Sequence, residues 1–183
     1  PVNSNNLSVM EKVLHFKHTR FVHTYFNNGF DIGPFCSMLN DIELEKYDIV
    51  FKLHSKGIFR PFIFIYGQIF KGKDWFFDLY NGILDGITVH KTIDVLLNQK
   101  KIGLVAAENL IVQDPSHKQK LVKEKIKDLS LNLYPNPNLN FSLSNPYRFV
   151  AGSCFAIKSH LLHPIKDMGL SIHDFEKTKR GLF

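Results

Sequence analysis

The chain reads as an α/β protein, on three observations. Strand-like and helix-like patterns alternate through its first hundred residues, the arrangement of a sheet with helices laid against it. Asp48 to Leu53 concentrate β-branched and aromatic residues in a short run, as a buried strand does. Ile102 to Ala106 form a second apolar run between Lys100-Lys101 and Glu108-Asn109, which fits a sheet covered on both faces.

With 183 residues, 44% of them hydrophobic, the chain has material for one domain with a single core. A net charge of +6 and a pI near 9.3 favour anionic partners: nucleotides, phosphates, nucleic acids or anionic lipid surfaces. No apolar run approaches the roughly 18 residues of a membrane span, so a soluble chain is expected. Cys36 and Cys154 sit in apolar surroundings without ligand spacing, as buried thiols of a reducing compartment do. Pro1 to Asn6 lack the pattern of a signal peptide. The missing initial Met means either that Met was removed before Pro1 or that the chain is cut from a longer protein, and the apolar ending Gly181-Leu182-Phe183 favours the expectation of a piece of a longer protein with other domains.

Leu7, Val9, Met10, Val13, Leu14 and Phe16 recur at helical spacing and predict an amphipathic first helix. Arg20 to Phe26 reads as a strand, closed by Asn27-Asn28-Gly29. Asp31 precedes Ile32-Gly33-Pro34, where a second helix opens. This acid either caps that helix or contacts a ribose or base, as acids after a strand do in nucleotide-binding α/β folds.

Tyr47 to Gly57 starts as a strand and ends with Lys52, His54 and Lys56 at alternate positions. On an extended chain these three share one face, suited to a diphosphate. Gly57 to Tyr66 is aromatic and reads as a loop or an extra strand. Gly72 to Leu84 is helical, with Trp75, Phe76, Leu79, Ile83 and Leu84 on its apolar face, and Thr88 to Asn98 is another helix. Lys118 to Leu129 reads as a surface helix, and the Pro- and Asn-rich stretch Asn132 to Pro146 as an irregular connection.

Arg148 to Ile157 returns to strand character around Ala151-Gly152-Ser153, where a ligand or neighbouring chain can approach the backbone closely. Ser159 to Met168 reads as a helix. Ser171 to Glu176 has the cap-then-acid pattern of a helix start and groups His173, Asp174 and Glu176.

The sequence contains no G-x-x-x-x-G-K-[ST], no G-x-G-x-x-G and no G-x-S-x-G, which argues against a P-loop enzyme, a dinucleotide oxidoreductase and a standard α/β-hydrolase. Its aromatics fall in apolar periodic runs without an RNA-binding signature, so nucleic acid is not expected as a partner. Its nine histidines show no zinc spacing, and only His54 and His173 stand beside other charged groups at strand or helix ends.

Asn28-Gly29-Phe30-Asp31-Ile32-Gly33-Pro34-Phe35, Tyr47-Asp48 with Val50, Lys52, His54, Ser55 and Lys56, then Trp75, Ile102-Gly103-Leu104-Val105 and Ala151-Gly152-Ser153 with Phe155 occur in that order. With these motifs the chain resembles the rhamnan synthesis F family over residues 27–176. The resemblance implies a GT-A-like (Rossmann-like) α/β/α sandwich with a mostly parallel central sheet. It further implies a glycosyltransferase, inverting and of hexosyl- or rhamnosyltransferase type, that uses a nucleotide-sugar donor and a saccharide or lipid-linked saccharide acceptor in polysaccharide assembly. Such an enzyme would be cytoplasmic, at the inner face of a membrane with which it associates peripherally.

By the same resemblance, Asn28, Asp31, Lys52, His54, Lys56, Gly152 and Ser153 would contact the donor, and Glu176, with Asp174 as the other carboxylate, would be the catalytic base. Many GT-A enzymes hold Mn or Mg through an Asp-x-Asp, and here Lys52-Leu53-His54 stands in its place. That leaves His54 as a lone metal ligand, or lysines that neutralise the diphosphate without a metal. The alternative is a non-catalytic nucleotide-sugar or carbohydrate-binding module derived from a transferase.

Overall fold

A computed structural model describes residues 2–3, 24–25, 28–54, 61–65, 68–113, 120–133 and 148–175. In chain order they form β1 (Val2–Asn3), β2 (Thr24–Tyr25), α1 (Ile32–Leu39), β3 (Ile49–Lys52), β4 (Phe62–Ile65), β5 (Gln68–Lys71), α2 (Gly72–Leu84), α3 (Gly86–Asn98), β6 (Leu104–Val105), β7 (Ile111–Gln113), α4 (Lys120–Leu133), β8 (Arg148–Val150), β9 (Phe155–Lys158) and α5 (His163–Asp167). Short 3-10 turns lie at Leu44–Lys46, Glu108–Leu110, Ser159–Leu162 and Ile172–Asp174. The chain divides into two compact units, Tyr47–Pro164 and the pair of segments Pro1–Lys46 and Ile165–Phe183.

The expected mostly parallel central sheet of a GT-A-like sandwich is not found. Among the described residues the largest sheet has three strands in the order β3-β9-β6, and β9 runs antiparallel to both neighbours. The hairpin β4-β5 and the pair β7-β8 are antiparallel too, and the one parallel pair among the described residues is the two-residue contact of β1 with β2. The reason lies in who occupies the middle. β3 and β6 do point the same way, since each opposes β9. A strand from far along the chain takes that place in the opposite direction, and a hydrophobic pattern carries no address for its partner.

In the Tyr47–Pro164 unit the core gathers Trp75, Leu79 and Ile83 of α2 with Ala107, Leu110, Val112, Ala151 and Cys154. The spacing of the three α2 residues puts them on one helical face, and α2 has the bounds the sequence predicts. Phe70, Tyr80, Val105 and Phe149 pack partly buried against this cluster. Ser159 ties the end of β9 to the start of β3, its amide donating to the Asp48 carbonyl at 2.9 Å and its hydroxyl to the Tyr47 carbonyl.

The expected strand Arg148 to Ile157 is two strands. β8 pairs with β7 and β9 with β3 and β6, so the chain changes sheets at residues 151–154. Gly152 and Ser153 bring this about with φ of 85° and 56°, outside the extended region.

In the other unit, α1 buries Gly33, Phe35, Cys36 and Leu39 and packs on the Ile172–Asp174 turn. Cys36 and Cys154 are both buried thiols outside any disulfide, as expected. The predicted first helix, most of the Arg20 to Phe26 strand and most of the Asn132 to Pro146 connection lie outside the described residues.

Candidate functional site

The end of β3 meets the turn that leads into β9. Lys52, opposite Phe155 in the ladder, is only 4% exposed. Its ammonium donates to the Ser153 carbonyl at 2.8 Å and lies 5.9 Å from the centre of the Phe155 ring, the outer reach of a cation–π contact. Two residues on, His54 Nε2 donates to the Gly152 carbonyl. A carbonyl only accepts, so this bond places a proton on Nε2. The alternation seen in the sequence therefore puts Lys52 and His54 on one face, where both grip consecutive carbonyls of one turn.

Close packing from below fixes the same turn. A Cβ at Gly152 would lie 2.5 Å from Leu79 Cδ2 and 2.9 Å from Trp75 Cζ2, so the expected close approach exists and its neighbours are α2 side chains. Ser153, with φ of 56°, is in the left-handed region that non-glycine residues seldom enter. Tyr80, the next residue along α2 from Leu79, donates its hydroxyl to the His54 carbonyl. Burial, aided by the nearby Cys154, raises the Tyr80 pKa above its usual value, so the phenol keeps the proton that this bond needs. Tyr80 escaped the sequence reading; a polar-tipped aromatic beside the Trp75–Leu79–Ile83 stripe was its only signal.

Asn28, Asp31 and Asp174 fall in the other unit. Asn28 donates to the Ile172 carbonyl at 3.4 Å and Asn40 to the Leu170 carbonyl at 3.0 Å. Asp31 stands at the start of α1 but makes no side-chain cap bond; the Gly29 carbonyl takes the Ile32 and Gly33 amides at 3.1 and 3.0 Å. Gly29 itself has φ of 64°, and a Cβ there would lie 2.6 Å from the Phe175 ring.

Ser171 and Asp174 form a capping box: the Asp174 carboxylate accepts from the Ser171 amide at 2.7 Å and its hydroxyl at 2.9 Å. The Ser171 amide is the main cause that holds the Asp174 pKa below its usual value. Glu176 and Lys56 lie outside the described residues.

The described residues do not fit a resident divalent metal. Among them no group of three or more His, Cys, Asp or Glu side chains converges. The Nε2 of His54 is turned to the Gly152 carbonyl, and the nearest basic neighbour on its strand is Lys52, a donor set that repels a cation.

A buried lysine, a histidine and a left-handed turn held on a helix make a pre-formed polar turn at a strand end. The family model of rhamnan synthesis protein F matches residues 3–180, and the chain belongs to that family. The family is associated with rhamnan synthesis, which supports a role in polysaccharide biosynthesis. No curated protein and no solved structure matches the chain.

Proposed function

We propose that this chain is a glycosyltransferase domain that moves a sugar, rhamnose being the first candidate, from a nucleoside-diphosphate donor to a saccharide acceptor. One observation carries the proposal beside the family membership: two consecutive left-handed residues, Gly152 and Ser153, whose carbonyls are held by Lys52 and His54. Such conformations persist where the surroundings over-determine them, and they gather at ligand sites.

In this reading Lys52 is a positioning residue, since it is buried and occupied with Ser153. His54 and Lys56 supply positive charge for the diphosphate, with Gly152 and Ser153 beside the sugar. The acceptor hydroxyl oxygen attacks the anomeric carbon. The bond from that carbon to the diphosphate oxygen breaks, its electron pair leaves with the nucleoside diphosphate, and the hydroxyl proton passes to a carboxylate. Glu176 is assigned that proton; Asp174 is the lesser choice, because its cap bonds and lowered pKa make it a weak base.

The grip of Lys52 and His54 on the turn also favours a second reading, in which the cations only build a scaffold and the chain is a non-catalytic nucleotide-sugar or carbohydrate-binding module. Calorimetric titration with nucleoside-diphosphate sugars, followed by assay of nucleoside diphosphate release with a saccharide acceptor, tests both. Binding with release is the expected result. Binding without release selects the module, and no binding of any donor overturns both readings.

A further inference from the structure

Phe30 is costly to the fold in two ways. Its backbone has φ of 54°, in the left-handed region where a bulky residue is an outlier, and the residue is 48% exposed. Asn or Gly at this position would ease the backbone and remove an apolar ring from water. The loop around it is nevertheless firmly held. Gly29 has φ of 64° and sits so close to Phe175 that a Cβ there would lie 2.6 Å from the ring, while a Cβ at Gly33 would run into the Asn28 carbonyl. The Gly29 carbonyl in turn holds the Ile32 and Gly33 amides at 3.1 and 3.0 Å. Strained residues fixed in this way gather at ligand contacts, and here the strained residue offers an aromatic ring.

The charge around the loop narrows the ligand. Thr24 to Glu45 contain no Lys, Arg or His. The described residues of this unit carry six carboxylates, Asp31, Asp41, Glu43, Glu45, Asp167 and Asp174, against two lysines and His173. Both lysines are engaged: Lys46 pairs with Glu43 at 2.6 Å and Lys166 donates to the Ile42 carbonyl. Such a field repels a nucleotide or a phosphate, and the Ile32 and Gly33 amides at the start of α1 are already taken by Gly29. A neutral saccharide meets neither obstacle. The C–H face of a pyranose stacks on an aromatic ring. The half-buried Asp31, next in sequence, has lone pairs enough to accept from sugar hydroxyls alongside another contact. Ile32, 39% exposed, adds apolar surface beside them.

We propose that Phe30 and Asp31 form a saccharide subsite, with a pyranose ring of the acceptor stacked on Phe30 and its hydroxyls donating to Asp31, in place of the nucleotide contact expected of that acid. The subsite rests on the reading of the chain as one that handles sugars, and it serves a transferase and a binding module alike.

Calorimetric titration of the whole chain with a neutral rhamnose trisaccharide tests it. The parent is expected to bind. Phe30→Asn is expected to lower the affinity about tenfold with the melting temperature unchanged or raised, because Asn tolerates the left-handed backbone. Phe30→Tyr is expected to keep the affinity, and Asp31→Asn to lower it about fivefold. No binding by the parent, or parent-like affinity in Phe30→Asn, overturns the proposal. So does a melting temperature that falls by many degrees in Phe30→Asn, since the ring then serves packing. A free nucleoside diphosphate that displaces the trisaccharide and loses affinity in the same variant also overturns it, since a base is then the occupant. Donor binding and release of nucleoside diphosphate beside any of these results leave the transferase standing without the subsite. Trisaccharide binding that depends on Phe30 in a chain that binds no donor keeps the subsite and removes the transfer reaction.

Discussion

The Lys52 ammonium reaches the Ser153 carbonyl across 101 residues of sequence, so one side chain locks the end of β3 to the turn where the chain changes sheets. Lys52→Met keeps most of the stem and removes the donor. The bereft carbonyl and the lost charge-assisted bond are expected to cost about 1–3 kcal/mol, read from urea unfolding midpoints. If the turn is the donor site, nucleotide-sugar affinity falls with it, while the circular dichroism spectrum keeps its shape.

Gly152→Ala is expected to be the most damaging small substitution in the Tyr47–Pro164 unit. The new methyl meets Leu79 and Trp75 at under 3 Å on a backbone with φ of 85°, adding left-handed strain of about 1–2 kcal/mol to an overpacking cost of about 1–3 kcal/mol. Gly86→Ala is the control: a Cβ there meets nothing within 4 Å at the first position of α3, and it is expected to be neutral or to stabilise by about 0.5 kcal/mol. Paired denaturation curves read both.

Tyr80→Phe removes the hydroxyl that holds the His54 carbonyl. A loss of about 1 kcal/mol is expected from the bond, together with a shift of the His54 ring resonances in NMR. Unmoved His54 resonances would show that this contact does not position the ring.

Much of this was legible beforehand, and the parts that were not share a cause. The bounds of α2 follow from Trp75, Leu79 and Ile83 because a helix writes its buried face into its own spacing. The basic residues at 52 and 54 were placed on one face by alternation alone. What alternation cannot say is what that face meets: Lys52 looked like an open cation and is buried against a carbonyl from residue 153. Likewise Arg148 to Ile157 has the same apolar character whether it continues as one strand or breaks into two, and only the partners of β8 and β9 decide. Sheet order failed for that reason, since pairing is settled between segments a hundred residues apart.

Acid sensitivity should report on Asp174. Its folded pKa lies below the model-peptide value of 3.8 because the Ser171 amide and hydroxyl bond the ionised form. Its contribution to stability is therefore full above that value and disappears as pH falls through the lower folded pKa. Glu43, bonded to Lys46, is lowered from 4.5 and acts in the same sense. Thermal melts between neutral pH and the acid range are expected to fall less steeply in Asp174→Asn than in the parent.

Glu176→Gln separates binding from chemistry. Donor affinity is expected to stay as it is, with release of nucleoside diphosphate in the presence of acceptor reduced by about a hundredfold or more, the usual loss when a general base is removed. Retained turnover would take Glu176 out of the reaction and leave Asp174→Asn as the next variant to assay.

Trp75 is the chain's single tryptophan. It is wholly buried, its indole N–H is without a hydrogen-bond partner among the described residues, and its ring lies under Gly152. The protein thus carries its own optical gauge at the turn. An indole in dry, apolar surroundings emits toward the blue, and any ligand or substitution that lifts the Gly152 backbone and admits water moves that emission toward the red, with no label to introduce.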